Sequence, residues 1–255
     1  MSLSGNLDYM KKTVLKMNDK KKQLCIVTGV GPEKGTGAEI AKYFSEKNYI
    51  VAMIARNSEN LFNLEKKYNN SYAYPCDISN IEKLLETLKT IKHNHGDTHI
   101  LIHNAPSASR GSILDLDPIN LEKNFRVNTT ALLYLVRETL PGMLKKRNGH
   151  ILVTGNTAST RGKAHWGFFA STKASQRILA ESIAREFGPK GIHVAYFIID
   201  AAIDTPRTRP FLQPDKNDDF FAKPRAIAEE MYKTVLQDKS TWSFRVELRP
   251  FGEIW

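Results

Sequence analysis

The chain has 255 residues, a formal net charge of +10 and 41% hydrophobic residues. That is enough apolar material for one α/β sheet domain with a real core, and no apolar run approaches the roughly 18 residues of a membrane span. The lysines are mostly scattered (Lys42, Lys66, Lys89, Lys145) and no clustered basic and aromatic motif accompanies them, so nucleic-acid and membrane partners are not expected and the charge has an anionic cofactor as its only specific use.

Residues 1–22 are polar and lysine-rich, with the run Lys20-Lys21-Lys22. They lack the apolar core of a secretory signal and contain no arginine, and they read as a flexible extension of a cytoplasmic protein. Residues 23–255 then form a single domain. Leu24–Thr28 is the first expected strand. The sequence Thr28-Gly29-Val30-Gly31-Pro32-Glu33-Lys34-Gly35-Thr36-Gly37 follows it and leads into a helix expected from Ala38. A glycine cluster alone also suits a plain turn. Between a strand and a helix it suits a pyrophosphate, because glycine lets the backbone approach closely and the helix N-terminus meets the charge. Gly29, Gly31, Lys34, Gly35 and Thr36 are therefore candidate cofactor residues.

The second strand, Ile50–Ile54, runs on to Ala55-Arg56-Asn57. No acid stands there for a ribose 2′-hydroxyl, whereas the Arg56 guanidinium suits a 2′-phosphate. Lys34 adds charge nearby, so NADP(H) is favoured over NAD(H). The alternative for Arg56 is a surface residue at a strand end. The third strand, Ser71–Tyr74, leads to Cys76-Asp77-Ile78, where Asp77 lies beside an adenine, caps the next helix, or does both. Ile81, Leu84, Leu85, Leu88 and Ile91 mark one face of that helix, with Ser79 or Asn80 as its cap. His93 and His95 are expected in a loop; they lack a third ligand, so no metal site is expected. Cys25 and Cys76 have neither metal nor redox spacing and read as buried thiols in a reducing compartment.

Ile100–His103 is the fourth strand, followed by Asn104-Ala105-Pro106. A long helix is expected over Leu121–Lys146 and contains Arg126-Val127-Asn128. Ile151–Thr154 is the fifth strand, and a helix over Phe168–Phe187 ends at Gly188-Pro189. Val194–Ile199 and Phe244–Leu248 are the last strands. Thr205–Pro224, rich in Pro, Asp and Lys, reads as a mobile loop. Such alternation gives a doubly wound parallel sheet, a Rossmann-type α/β fold of about seven strands flanked by helices, with ligands at the strand carboxyl ends.

From Ile26 to about Thr205 these motifs resemble, in order and spacing, the short-chain dehydrogenase/reductase family. The resemblance implies dinucleotide contacts at Asp77, Ile78, Asn104, Ala105, Ile203 and Thr205, and a catalytic group at Asn128, Asn156, Phe169 and Lys173. The last group departs from the pattern. The family places serine thirteen residues ahead of a Tyr-x-x-x-Lys tyrosine, and this chain has Asn156 and Phe169 there. Lys173 is retained and in the family also holds the nicotinamide ribose. Asn128 matches the asparagine that holds a relay water. A tyrosine proton donor is worth about 10²–10⁴ in rate, and phenylalanine supplies none. Asn156 still offers a hydrogen bond to a substrate oxygen or else holds the loop backbone. Asp200, in place of the family's proline, and His165 are candidate substitute donors.

The glycine loop is two residues longer than usual, and that spacing with His103 resembles the enoyl-acyl-carrier-protein reductases; Trp166 stands where those enzymes carry their tyrosine. The tail from Trp242 through Arg249-Pro250 to Trp255 resembles a subset of the family with Phe at the tyrosine position, but core or subunit packing is the preferred reading of Trp242, Phe251 and Trp255. Three readings follow: an NADP(H)-dependent oxidoreductase acting on a small carbonyl or alcohol with a non-standard proton donor, which is favoured; a dinucleotide-binding sensor or scaffold without efficient catalysis; and an enoyl-reductase-like enzyme. The resemblance also implies a homodimer or homotetramer through the helices around 121–146 and 168–187.

Overall fold

The computed structural model describes residues 22–212 and 215–253. The extension expected over residues 1–22 therefore lies, except for Lys22, outside the described residues. The apolar segments form β1 (Leu24–Thr28), β2 (Ile50–Ala55), β3 (Ser71–Pro75), β4 (Thr98–His103), β5 (Gly149–Gly155), β6 (Ile192–Ile199) and, after two short strands, β9 (Arg245–Leu248). All pair in parallel in the order β3-β2-β1-β4-β5-β6-β9. The two short strands, β7 (Ala202–Ile203) and β8 (Phe221–Ala222), pair with each other.

Helices cover both faces, which is why the central strands are apolar at nearly every position rather than alternating. On one face α1 (Thr36–Glu46), α2 (Ser58–Lys67) and α8 (Pro224–Val235) bury Ile40, Phe44, Leu61, Leu64, Ile227 and Met231 against Cys25 and Val27 of β1. On the other, α3 (Ile81–His95), α5 (Ala131–Lys146) and α6 (Gly167–Phe187) bury Leu84, Leu88, Leu132, Leu135 and Ile183 against Leu24 and Ile26. Each such Leu or Ile contributes about 1.5–3 kcal/mol. The strand order reverses between β1 and β4, opening a crevice at their carboxyl ends. At the opposite end of the sheet, buried His99, His150 and His193 form a row of rings. His99 and His150 lie 5.2 Å apart, and His150 and His193 5.8 Å. Tyr49 stacks on His99, and Trp242 stacks on His193 at 4.7 Å.

Several expectations need correction. α1 begins at Thr36, two residues before Ala38, because Gly35 already takes the extended cap conformation. Of the two expected caps of α3 it is Asn80 that serves, accepting from Lys83 N; the Ser79 hydroxyl donates to Asp77. His93 and His95 lie in the last turn of α3, not in a loop, where basic groups suit the helix dipole. The His95 ring lies 2.7 Å from the Tyr74 hydroxyl. Among the described residues no group of His, Cys, Asp or Glu is arranged to hold a metal. The single helix expected over 121–146 is instead α4 (Ile119–Phe125), a π-helical turn (Arg126–Thr130) and α5. The loop expected over Thr205–Pro224 contains α7 (Thr208–Leu212) and β8. Phe251 is 89% exposed rather than packed in the core of this chain, and Trp255 lies outside the described residues. No helix among the described residues is long and apolar enough to cross a membrane.

Candidate active site

The loop after β1 is shaped by how closely its neighbours approach. Gly29 has φ +72°, and a Cβ there would fall 2.5 Å from Ala105 Cα; a Cβ at Gly37 would fall 2.3 Å from Gly29 O. Backbone is thus stacked on backbone where β1, β4 and α1 meet, and only glycine fits. Gly31, by contrast, has nothing within 4 Å of a Cβ position and faces open space. No side chain caps the first turn of α1, which leaves its amides and dipole directed at an anion.

Asn104 and Thr28 tie this junction together. Thr28 Oγ1 accepts from Asn104 N at 3.2 Å and Ala105 N at 3.4 Å, and Asn104 Nδ2 donates to Gly29 O at 3.1 Å. Thr154 Oγ1 donates to Asn104 Oδ1 at 3.2 Å. His103 is fully buried beneath the junction, 3.0 Å from Thr28 Oγ1. Burial, and then the nearby Lys173 charge, push its pKa down to about 3. It is not among the residues lining the crevice, so the feature resembling enoyl reductases does not face a ligand.

The crevice has two adjoining parts. The outer part, 690 Å³, is lined by Gly29, Gly31, Arg56, Asn60, Asp77, Ile78 and Ala105, among others. Asn60 Nδ2 donates to Gly31 O at 2.6 Å and fixes the loop's outer turn. Asp77 Oδ1 accepts from Ser79 N and Oγ at 3.0 and 2.8 Å, so it turns the chain as well as facing the crevice. The inner part, 340 Å³, is lined by Gly35, Thr36, Asn104, Asn156, Phe169, Lys173, Ile203 and Thr205, among others. Lys34, at φ +67°, faces neither part; it lines a neighbouring cleft with Glu39, Arg209 and Lys223.

Lys173 is 4% exposed. Its Nζ donates to Thr154 O at 2.8 Å and Gln176 Oε1 at 2.7 Å, and burial pushes its pKa down to about 7. Gln176 in turn donates to Asn128 O at 2.6 Å. The Asn128 side chain is fully used, donating to Thr172 Oγ1 and Ser107 O at 2.8 Å and accepting from Ser107 N at 2.9 Å. It braces the π-helical turn and presents no side-chain atom to the crevice. Phe169 is 6% exposed and forms an apolar wall, with the Trp166 ring 5.9 Å away. Asn156 Oδ1 accepts from Ala158 N at 3.1 Å, which leaves its Nδ2 without a partner among the described residues.

The two candidate substitute donors are elsewhere. Asp200 accepts from Arg249 Nη2 at 2.6 Å and Nε at 3.0 Å. His165 is exposed at φ +66°. Neither lines either part of the crevice. Among the described residues lining the inner part, Lys173 and Arg207 are the only ionisable ones. Gln176 and Arg207 were not singled out in the sequence. A glutamine on the buried face of α6, three residues after Lys173, was the available signal for the first.

The open face at Gly31, the uncapped helix end, and cations at Arg56, Arg207 and Lys173 along one crevice fit an elongated, phosphate-bearing dinucleotide. Comparison with known proteins agrees. The family model described as short chain dehydrogenase matches residues 23–215. An uncharacterized oxidoreductase of Staphylococcus aureus is 24% identical over 89% of this chain and 97% of its own. A short-chain dehydrogenase from Rhodopseudomonas palustris is 30% identical with a TM-score of 0.76, covering 91% of this chain and all of that one. An alcohol dehydrogenase from the archaeon Thermococcus sibiricus, solved with 5-hydroxy-NADP, shares the fold at 21% identity and a TM-score of 0.80, covering 91% of this chain and 98% of that one. The family match runs from the first strand past the sixth and takes in the whole crevice, and the chain belongs to the short-chain dehydrogenase family.

Proposed function

We propose that this protein is an NADP(H)-dependent oxidoreductase that reduces a small carbonyl compound, or oxidises the matching alcohol, with Lys173 in place of a tyrosine as the proton-bearing group. The observation that carries this reading is Lys173 itself, a buried amine with a pKa of about 7 on the wall of the inner crevice. When bound, the nicotinamide supplies hydride to a carbonyl carbon. Lys173 holds the proton for the oxygen, in a form that is exchangeable near neutrality. The Asn156 amide is left to donate a hydrogen bond to the same oxygen, and Phe169 excludes water. Arg56 at the outer end supports a 2′-phosphate, and similar proteins have been solved with NADP or its analogue. Leu133 on α5 and Ile178 on α6, 40% and 52% exposed, support pairing of those helices with a second copy. Buried free Cys25 and Cys76 suit a reducing cytoplasm.

A second reading is supported by the same lysine. Its Nζ is already engaged by Thr154 and Gln176, which suits a protein that binds the dinucleotide without efficient turnover. The test is calorimetric titration with NADPH and NADH, followed by turnover on a panel of small aldehydes and ketones from pH 6 to 9. The expected outcome is tighter NADPH binding and a reduction rate that falls above about pH 7, as Lys173 loses its proton, with the activity abolished by Lys173→Met. Binding with no turnover on the panel favours the second reading, and no binding of either nucleotide refutes both.

A further inference from the structure

The chain beyond β6 forms a strap closed at its base by the β7–β8 pair, where Ala202 faces Phe221 and Ile203 faces Ala222. Asp204 N extends this base by donating to Ala222 O at 2.9 Å. The next turn is pinned on both sides. Thr205 Oγ1 accepts from Thr208 N at 3.0 Å. Arg209 forks onto Asp204 at 2.7 and 2.9 Å, reaches Asp218 at 2.9 Å and lies 4.3 Å from the Phe221 ring centroid. A forked guanidinium–carboxylate pair is directional, so it fixes the turn and not merely its charge.

Arg207 stands in this pinned turn. It lines both parts of the crevice, the outer one with Arg56 and Asp77 and the inner one with Lys173 and Phe169. It is exposed and makes no hydrogen bond or ion pair among the described residues. The contrast with its surroundings is informative. Arg209, Arg225, Arg245 and Arg249 each hold a carboxylate, so among the described arginines after Arg185 only Arg207 has no carboxylate partner.

Resting on the dinucleotide reading above, we propose that Arg207 is a pyrophosphate clamp. The junction of the outer and inner parts is where a ligand spanning both carries its diphosphate bridge. Gly29, Gly31 and Arg207 each line both parts, and the uncapped start of α1 borders the inner one. The diphosphate is then held between helix amides and a guanidinium, a geometry in which a planar fork outperforms an ammonium. Because the bridge is common to both nucleotides, Arg207 adds affinity without choosing between them, whereas Arg56 makes the choice.

The experiment is calorimetric titration of the full chain, wild type, Arg207→Ala and Arg56→Ala, with NADPH and NADH. Melting of each unliganded protein serves as the folding check, and Arg207→Ala should melt as wild type does, since it loses no partner. The expected result is that Arg207→Ala weakens both nucleotides alike, by about tenfold as for loss of one charge-assisted contact, while Arg56→Ala weakens NADPH alone. Arg207→Ala affinities within twofold of wild type overturn the clamp and leave the dinucleotide reading standing. A loss confined to NADPH also overturns it, since Arg207 would then read the 2′-phosphate. Failure of wild type to bind either nucleotide sinks the clamp and the underlying reading together.

Discussion

Lowering the pH from 7.5 to 5 should destabilise this protein far more than its carboxylates account for, through histidines buried in neutral form. Burial pushes His99 down to about 4, and His103 and His150 down to about 3, and all three are at most 7% exposed. Their folded pKa values lie below the ordinary value of about 6.5, so the unfolded chain takes up protons first. The stability they contribute is complete above pH 6.5 and falls as the pH drops towards the folded values. At pH 5 each has lost about 2 kcal/mol, from one and a half units at about 1.36 kcal/mol each. That sum changes little if the folded values lie anywhere below about 4. Three such groups remove about 6 kcal/mol, against a typical total of about 5–15 kcal/mol. Paired carboxylates such as Glu46 and Asp204, whose pKa values are lowered by Arg225 and Arg209, begin to lose their contribution only as the pH falls into the ordinary carboxylate range, at about 4. The assay is urea unfolding at pH 7.5, 6 and 5 for wild type and His150→Phe, an apolar ring of similar size set in the aromatic row. The variant should lose about 2 kcal/mol less than wild type across that range. Parallel pH profiles for the two proteins would refute the argument.

Other consequences are as direct. Phe169→Tyr places a phenol on the inner wall near Lys173 and should raise carbonyl turnover about a hundredfold; unchanged kcat would show that the missing hydroxyl is not what limits the site. Gly37→Ala forces a Cβ against Gly29 O and should lower the melting temperature as well as dinucleotide affinity, and retention of both would contradict the close packing at the junction. Asn80→Ala removes the cap of α3 and should cost about 1 kcal/mol in urea unfolding, with no change in nucleotide binding.

The parts of the fold legible in the sequence were those where burial leaves a one-dimensional trace. β1, β2, β4 and β6 read as continuous apolar runs because helices cover both faces, although β4 and β6 begin two residues before the expected runs, at Thr98 and Ile192, where polar Thr98, His99 and His193 interrupt the pattern. β7 and β8 have two residues each and no such trace, so the strap appeared as a plain loop. His93 and His95 were placed in a loop because their turn of α3 is polar all round, and a solvated helix end looks like a loop. In the site, the glycine junction is readable from its position between a strand and a helix, and Lys173 from the resemblance to the family. Asp200 and His165 read as candidate proton donors because nothing near them in sequence names Arg249, forty-nine residues on from Asp200, or shows that His165 lies off the crevice. Gln176 has a weak local trace, as a glutamine on the buried face of α6 three residues after Lys173, but its contact with Asn128, on a separate helical turn, leaves none.

The strand order carries a cost during synthesis. β1 is an interior strand of the sheet, between β2 and β4, and these two neighbours become available at very different times. β2 follows within about thirty residues, but the other flank waits for β4, with register Val27↔Ile102. Until residue 103 has emerged, the open edge of β1 is a row of unpaired backbone groups, available to any other extended chain. Parallel pairing over such separations is also slow. Expression yield should therefore respond to lower growth temperature and to chaperone supply more than the stability of the finished sheet suggests, because the vulnerable species is the nascent half-sheet.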